Sequence, residues 1–271
     1  MTTKPDQRHV FPSAGEDLDR PQPGPETAQT LSPAYRLAYA DVDFLLRDEL
    51  RGVRLQLELV KPELTLDEHE IASTVVVFGS ARQGEAVRAG VDLPRAKAEA
   101  RRLGQLISRY GQGRPGPSEF VVVTGGGGGM MEAANQGAAD VGAKSIGFNI
   151  VLPHEQHPNP HITPELCFRF HYFAARKMQL LMRARAVVCF PGGFGTLDEL
   201  FETLTLIQTG KMEPVPVILF DTAFWRRLVD FDLLVEAGLV SQGDCRLCTF
   251  VDTADAAWAA IIHHYGLDDD A

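Results

Sequence analysis

Positive charge is in short supply in this chain. Lysine and arginine total 26 against 36 aspartates and glutamates, giving a formal charge of −10 and a pI near 5.3. Tracking a nucleic-acid backbone takes clustered lysine and arginine, so the composition argues against a nucleic-acid partner. One small anion is still within reach, because a few backbone N–H groups suffice for it. Cysteine is scarce too, with four in 271 residues, too few for a disulfide framework. A chain of this length buries most of its surface and needs neither disulfides nor a structural metal. No run approaches the roughly 18 apolar residues of a membrane span. The first twenty residues, MTTKPDQRHVFPSAGEDLDR, lack the apolar stretch of a secretory signal. The expectation is a cytoplasmic protein with no membrane partner.

Familiar signatures are missing as well. A formal G-x-G-x-x-G at Gly111, Gly113 and Gly116 precedes a strand-like run and contains Pro115, so it is not a dinucleotide loop. Gly142-Ala-Lys144-Ser145 lacks the spacing of a phosphate-binding P-loop, and no G-x-S-x-G nucleophile elbow occurs. Cys245 and Cys248 form a lone C-x-x-C. Their nearest downstream histidines, His263 and His264, are adjacent, where a zinc finger spaces them three to five apart. His154, His157 and His161 lie among Pro153, Pro158 and Pro160 and read as an exposed loop. Cys167 and Cys189 sit in apolar runs and read as small core residues. Neither a metal nor a cofactor is expected.

What is present is the make-up of a soluble globular protein, 45% hydrophobic and 23% charged. Residues 1–32 are rich in proline and poor in apolar side chains, and read as a flexible tail. Residues 33–72 read as a helical extension, opened by Ser32-Pro33 as N-cap and first helical residue, with helical spacing up to Pro62. The main domain is expected over 73–271. Apolar runs at 74–78, 120–124, 145–150, 166–170, 186–190, 215–220 and 249–251 read as strands. Helical patterns at 94–110, 130–141, 173–183, 196–208, 223–237 and 254–264 come between or after them. Strands apolar throughout are buried on both faces, and their alternation with helices predicts parallel βαβ units. The fold class is therefore α/β: a Rossmann-like, doubly wound parallel sheet with helices on both faces and an N-terminal helical extension.

In such sheets the ligand sits beyond the carboxyl ends of the strands. Three strand ends here carry unusual residues: Gly79-Ser80-Ala81-Arg82, the five glycines that follow Thr124, and Pro191-Gly-Gly-Phe-Gly-Thr-Leu-Asp-Glu199. In the third, free N–H groups at a helix start and the helix's positive end would hold a phosphate. Asp198 and Glu199 could equally serve only to complement the helix dipole. Five successive glycines cost stability, which favours a ligand contact as their reason.

The Pro191–Glu199 run resembles the P-G-G-x-G-T-x-x-E signature of the Lonely Guy family, the cytokinin-activating phosphoribohydrolases. Arg176-Lys177 matches that family's Arg-Lys pair, the run from Thr124 to Ala134 resembles its second glycine loop, and Gly79-Ser80 matches after the first strand. The N-terminal extension and Gly147-Phe-Asn-Ile-Val-Leu-Pro-His-Glu155 look more like the longer bacterial branch. The resemblance implies hydrolysis of the N-glycosidic bond of a nucleoside 5′-monophosphate. Its substrate would be AMP or an N6-modified AMP, its products free base and ribose 5-phosphate. It implies Arg176 and Glu199 as the catalytic pair and Gly192, Gly193, Gly195 and Thr196 around the 5′-phosphate. Glu155, Lys177, Asp198 and Thr205 match substrate-contacting positions. Gly79, Ser80, Gly125, Gly126, Gly127, Gly129 and Met131 would wall the pocket. A homodimer or higher homo-oligomer, with the site at the subunit interface, is also implied.

Two other readings stay open beside it. A non-catalytic nucleotide or cofactor carrier would keep the glycine loops but would not need Arg176 together with Glu199. The family is often labelled lysine decarboxylase, and pyridoxal phosphate chemistry needs a Schiff-base lysine. None of Lys4, Lys61, Lys97, Lys144, Lys177 and Lys211 follows a histidine, as the lysine of many such decarboxylases does.

Overall fold

The architecture is that of a computed structural model, which describes residues 13–20, 24–82, 86–112, 114–153 and 157–268. The chain divides into two units, one up to Leu57 and one from Glu58 onward. In the first, Ser13 and Glu16 form a reciprocal capping box on α1 (Ala14–Asp19). Ser32 does cap, but the helix it starts is a three-residue 3₁₀ turn, Pro33–Tyr35. Asp41 caps the four-residue α2 (Val42–Leu45). None of these short elements has a buried residue.

The long helix α3 (Arg51–Glu68) continues past Pro62, where the sequence suggested an end. An interior proline costs a helix about 3 kcal/mol. The turn beyond it is held from outside. Leu66 is buried, and the Arg183 guanidinium pairs with Glu63 (2.8 Å) and Asp67 (2.7 Å) while donating to the Ile71 carbonyl.

The second unit is built on β1 (Thr74–Phe78), α4 (Leu93–Gln112), β2 (Val121–Thr124), α5 (Met130–Asp140), β3 (Ser145–Ile150), β4 (Cys167–Phe170), α6 (Phe173–Met182), β5 (Ala184–Cys189), α7 (Phe194–Gln208), β6 (Val217–Phe220), α8 (Thr222–Leu228), α9 (Phe231–Glu236), β7 (Cys248–Val251) and α10 (Ala254–His264). The single helix expected over 223–237 is two, because Asp230 leaves the helical path and caps α9 through the Leu233 N–H. All strand pairs are parallel, in the order β4-β3-β2-β1-β5-β6-β7. Crossovers to β2 and β3 run one way from β1, and those to β5, β6 and β7 run the other. Right-handed connections therefore put α4 and α5 on one face and α6, α7 and α8 on the opposite face. Val75, Val77, Val122, Val188 and Ile218 share a core with α4, α5 and α10, while Val76, one residue out of phase, faces the other side. The order reverses between β1 and β5, and the crevice above that point is where a doubly wound sheet takes its ligand.

Candidate active site

Backbone hydrogen bonds draw the three unusual strand ends together. Beyond β1 and β5, the Phe190 N–H donates to the Phe78 carbonyl (2.9 Å) and the Ser80 N–H to the Pro191 carbonyl (3.0 Å). Ser80 in turn accepts from the N–H of Met130, the first residue of α5 (3.0 Å). Gly79 leaves no room for a side chain, since a Cβ there would overlap Met130 and crowd Phe190.

The glycine loop after β2 is wired by side chains that sequence reasoning missed. The Thr124 hydroxyl donates to Asn135 Oδ1 (2.7 Å) and accepts from the Gly126 N–H (3.0 Å). Asn159 Nδ2 donates to Asn135 Oδ1 (3.0 Å) and to the Gly127 carbonyl (3.1 Å), and its N–H donates to the Gly126 carbonyl (2.9 Å). Thr124 and Asn135 are fully buried and Asn159 nearly so; buried polar groups of this kind are kept only when satisfied. The signal was present in Asn135, a polar residue among Met130, Ala134 and Ala138 on the buried stripe of α5. Gly126 has φ +76° and lies against the Asn149 side chain, so only glycine fits there. Gly129, with φ +66°, is the N-cap of α5.

Arg176 projects from the first turn of α6. Its Nε donates to the Phe148 carbonyl (2.6 Å), and its Nη2 fills the space that a Cβ on Gly125 would take, beside Met131. Its Nη1 stands 3.9 Å from Glu199 Oε1, an ion pair too long to be a hydrogen bond. Glu199 lies on α7 and is 5% exposed, and its Oε2 is buried without a hydrogen-bond partner. Burial pushes its pKa up to about 7, with Glu202 and Asp198 adding to the rise and Arg176 and Lys177 opposing it. Burial lowers the Arg176 pKa, and Glu199 resists that change. A buried carboxylate oxygen left without a hydrogen bond is costly, and a buried carboxylate with a raised pKa beside a charged partner is a candidate for acid–base function.

Four residues upstream of Leu197, the start of α7 is open. Gly193 is its N-cap, with no side-chain cap. A Cβ on Gly192 would overlap Thr196, whereas one on Gly193 or Gly195 would meet nothing within 4 Å. Packing within the chain therefore does not account for these last two glycines. Asp198 and Lys177 pair with each other: Lys177 Nζ is 3.0 Å from Asp198 Oδ2 and 3.0 Å from Glu202 Oε2. Burial alone would lower the Lys177 pKa, but these two carboxylates outweigh it and the net shift is upward. Thr205 is exposed, its hydroxyl donating to the Phe201 carbonyl (2.7 Å). It lines a groove on the outer side of α7 with Phe194, Asp198 and Phe201. Phe194 is 92% exposed. Glu155 and His154 lie outside the described residues.

Burial raises the Cys248 thiol to about 12, and Cys189 is pushed up as well, so both stay protonated at neutral pH. Among the described residues no three His, Cys, Asp or Glu side chains gather as a metal site would require, and no helix is long and apolar enough to cross a membrane.

A family model described as "Possible lysine decarboxylase" matches residues 131–261. A probable cytokinin riboside 5′-monophosphate phosphoribohydrolase of Oryza sativa subsp. japonica is 30% identical over 138 residues, 49% of this chain and 64% of that protein. A cytokinin riboside 5′-monophosphate phosphoribohydrolase of Arabidopsis thaliana is also 30% identical over 138 residues, 49% of this chain and 62% of its own length. The chain thus spans less than two thirds of these relatives. Among solved structures, the molybdenum cofactor binding protein of Rippkaea orientalis is 20% identical, covering 71% of this chain and 96% of its own, with a TM-score of 0.48. The Moco carrier protein of Chlamydomonas reinhardtii is 20% identical, covering 72% and 98%, also with a TM-score of 0.48. These two likenesses are too slight to say what this chain binds.

Proposed function

We infer that this chain is a member of the Lonely Guy family and, from that premise, that it hydrolyses the N-glycosidic bond of a nucleoside 5′-monophosphate. The substrate is AMP or an N6-modified AMP such as a cytokinin riboside monophosphate, and the products are free base and ribose 5-phosphate. The observation that carries the reading is Glu199: a buried, up-shifted carboxylate beside Arg176, one turn into a helix whose N-terminus is open.

The uncapped N–H groups at the start of α7 hold the phosphate, with Gly193 and Gly195 letting it approach the backbone and Thr196 and Gly192 shaping the turn. The sugar then lies toward Glu199. Glycosidic cleavage passes through an oxocarbenium-like centre, which the ionised carboxylate stabilises. Water adds to C1′ and yields a proton to Glu199. The C1′–N electron pair leaves with the base, which takes up that proton, so only water is consumed. Arg176 favours the ionised form of Glu199 against the burial that raises its pKa, and helps to aim it. Gly79, Ser80, Gly125, Gly126, Gly127, Gly129 and Met131 wall the pocket.

The site is completed by a second copy of this chain. Exposed Phe194 and Phe201, which line one groove, would contribute apolar surface to the pairing, as would exposed Phe173 and Met178, and Asp198, Lys177, Thr205 and Glu155 would serve the shared site. A decarboxylase would need a neutral lysine amine to form a Schiff base. Lys177 is instead held protonated by two carboxylates.

The test is product analysis after incubation with AMP and with N6-substituted AMP. Adenine (or the modified base) together with ribose 5-phosphate, both lost in Glu199→Gln, is the expected result. AMP binding with no release from either nucleotide would refute the hydrolase and fit a carrier.

A further inference from the structure

The corner between β4 and α6 is only two residues long, His171 and Tyr172, and its amides are satisfied from another helix. A helix N-terminus leaves N–H groups without intrahelical partners, and Tyr172, at the N-cap position of α6, offers no side-chain cap. Glu58 on α3 bonds instead to the two amides that lead into the helix. Its Oε1 accepts from the His171 N–H (2.7 Å) and its Oε2 from the Tyr172 N–H (3.1 Å). The carboxylate also lies at the positive end of α6. The Arg176 N–H donates to the Tyr172 carbonyl (3.2 Å), so one residue is gripped by Glu58 on one side and by the arginine's own amide on the other. A second tie follows one turn later, where Gln179 Nε2 donates to the Leu59 carbonyl (2.7 Å).

We propose that Glu58 is a positioning residue for Arg176: by fixing where α6 begins, it sets the reach of the guanidinium to the Phe148 carbonyl and to Glu199. The slot offers no slack. Nη2 occupies the space of the missing Gly125 side chain, and the gap to Glu199 is 3.9 Å. Both oxygens of Glu58 are used as acceptors, which a glutamine cannot reproduce, because its amide nitrogen has no lone pair to offer an N–H. The inference rests on the reading of Arg176 and Glu199 as the reacting pair.

The full chain carries the test, with two readouts. One is the titration midpoint of Glu199, followed by the ¹³C shift of its side-chain carboxyl; the other is kcat and KM for AMP. The charged groups facing Glu199 are Arg176 and Lys177 on α6, and Asp198 and Glu202 on α7. Releasing the start of α6 loosens Arg176, whereas Lys177 stays tied to α7 by its two ion pairs; with the arginine's charge drawn away from the two carboxylates, the midpoint moves up. Glu58→Ala is expected to show that rise with kcat lower by roughly 10- to 100-fold. KM stays within about twofold, because the phosphate is held by α7. Glu58→Gln should fall between the two, and it carries the experiment if Glu58→Ala does not fold. Leu66→Ala loosens α3 without touching the corner and should leave the midpoint in place. An unmoved midpoint and unchanged kcat in both Glu58 variants would overturn the inference, as would an equal rise in Leu66→Ala. A midpoint that moves in a protein that cleaves no nucleotide would uphold the positioning role and remove the proposed reaction.

Discussion

Glu199→Gln should make the fold more stable at alkaline pH, although it removes the reacting group. The folded-state pKa is raised from 4.5 to about 7. Between these values the native protein keeps a proton that the unfolded chain gives up, so the native state binds more protons and stability falls as pH rises. Above about pH 7 the full cost is present, and the gap corresponds to about 3 kcal/mol. Below pH 4.5 the side chain is protonated in both states and there is no cost. Glutamine has nearly the shape of the protonated acid, so the variant should match wild type near pH 4.5 and exceed it by about 1–3 kcal/mol at pH 8. For a chain of this size that is a Tm gain of roughly 2–12 °C. Urea unfolding of both proteins at pH 5 and pH 8, at one fixed protein concentration, reads the difference. A variant whose stability relative to wild type is the same at both pH values would refute the buried-carboxylate argument. So would one that loses ground at pH 8.

Two glycines should respond in opposite ways. Gly126→Ala forces a Cβ onto a residue at φ +76° beside Asn149 and should cost roughly 1–3 kcal/mol in denaturant unfolding. Gly195→Ala, in the open first turn of α7, should stabilise the fold by up to about 1 kcal/mol while weakening AMP binding by calorimetry. Phe194→Glu puts a charge on a ring that is 92% exposed; it should leave the unfolding midpoint of the isolated fold within about 0.5 kcal/mol and shift sedimentation toward the monomer.

The strands were legible because their apolar runs have no competing period: β1 and β3 fall on the expected residues, and the parallel sheet expected from strands alternating with helices is the one observed. The errors lie where a tertiary contact overrides a local signal. Pro62 reads as a stop, but Arg183, more than a hundred residues away, holds the next turn. Asp230 splits a helix that apolar spacing alone would continue. At the site, Arg176, Glu199 and the glycine loops were visible as residue types after strands. Asn159 and Glu58 were not, because each acts on backbone groups brought near only by folding.

The Thr124–Asn135–Asn159 network has a consequence for how tightly a ligand can be held. Five glycines in succession form the most conformationally free kind of segment a chain can contain, and ordering each residue costs roughly 1–2 kcal/mol of entropy. In a loop ordered only by its ligand, that entropy would be subtracted from affinity. Here the amide of Gly126 is bonded to the Thr124 hydroxyl, and the carbonyls of Gly126 and Gly127 to the backbone and side chain of Asn159, so much of the ordering is done when the protein folds. The loop can then meet its ligand as a rigid surface, with glycine's lack of bulk and without glycine's freedom.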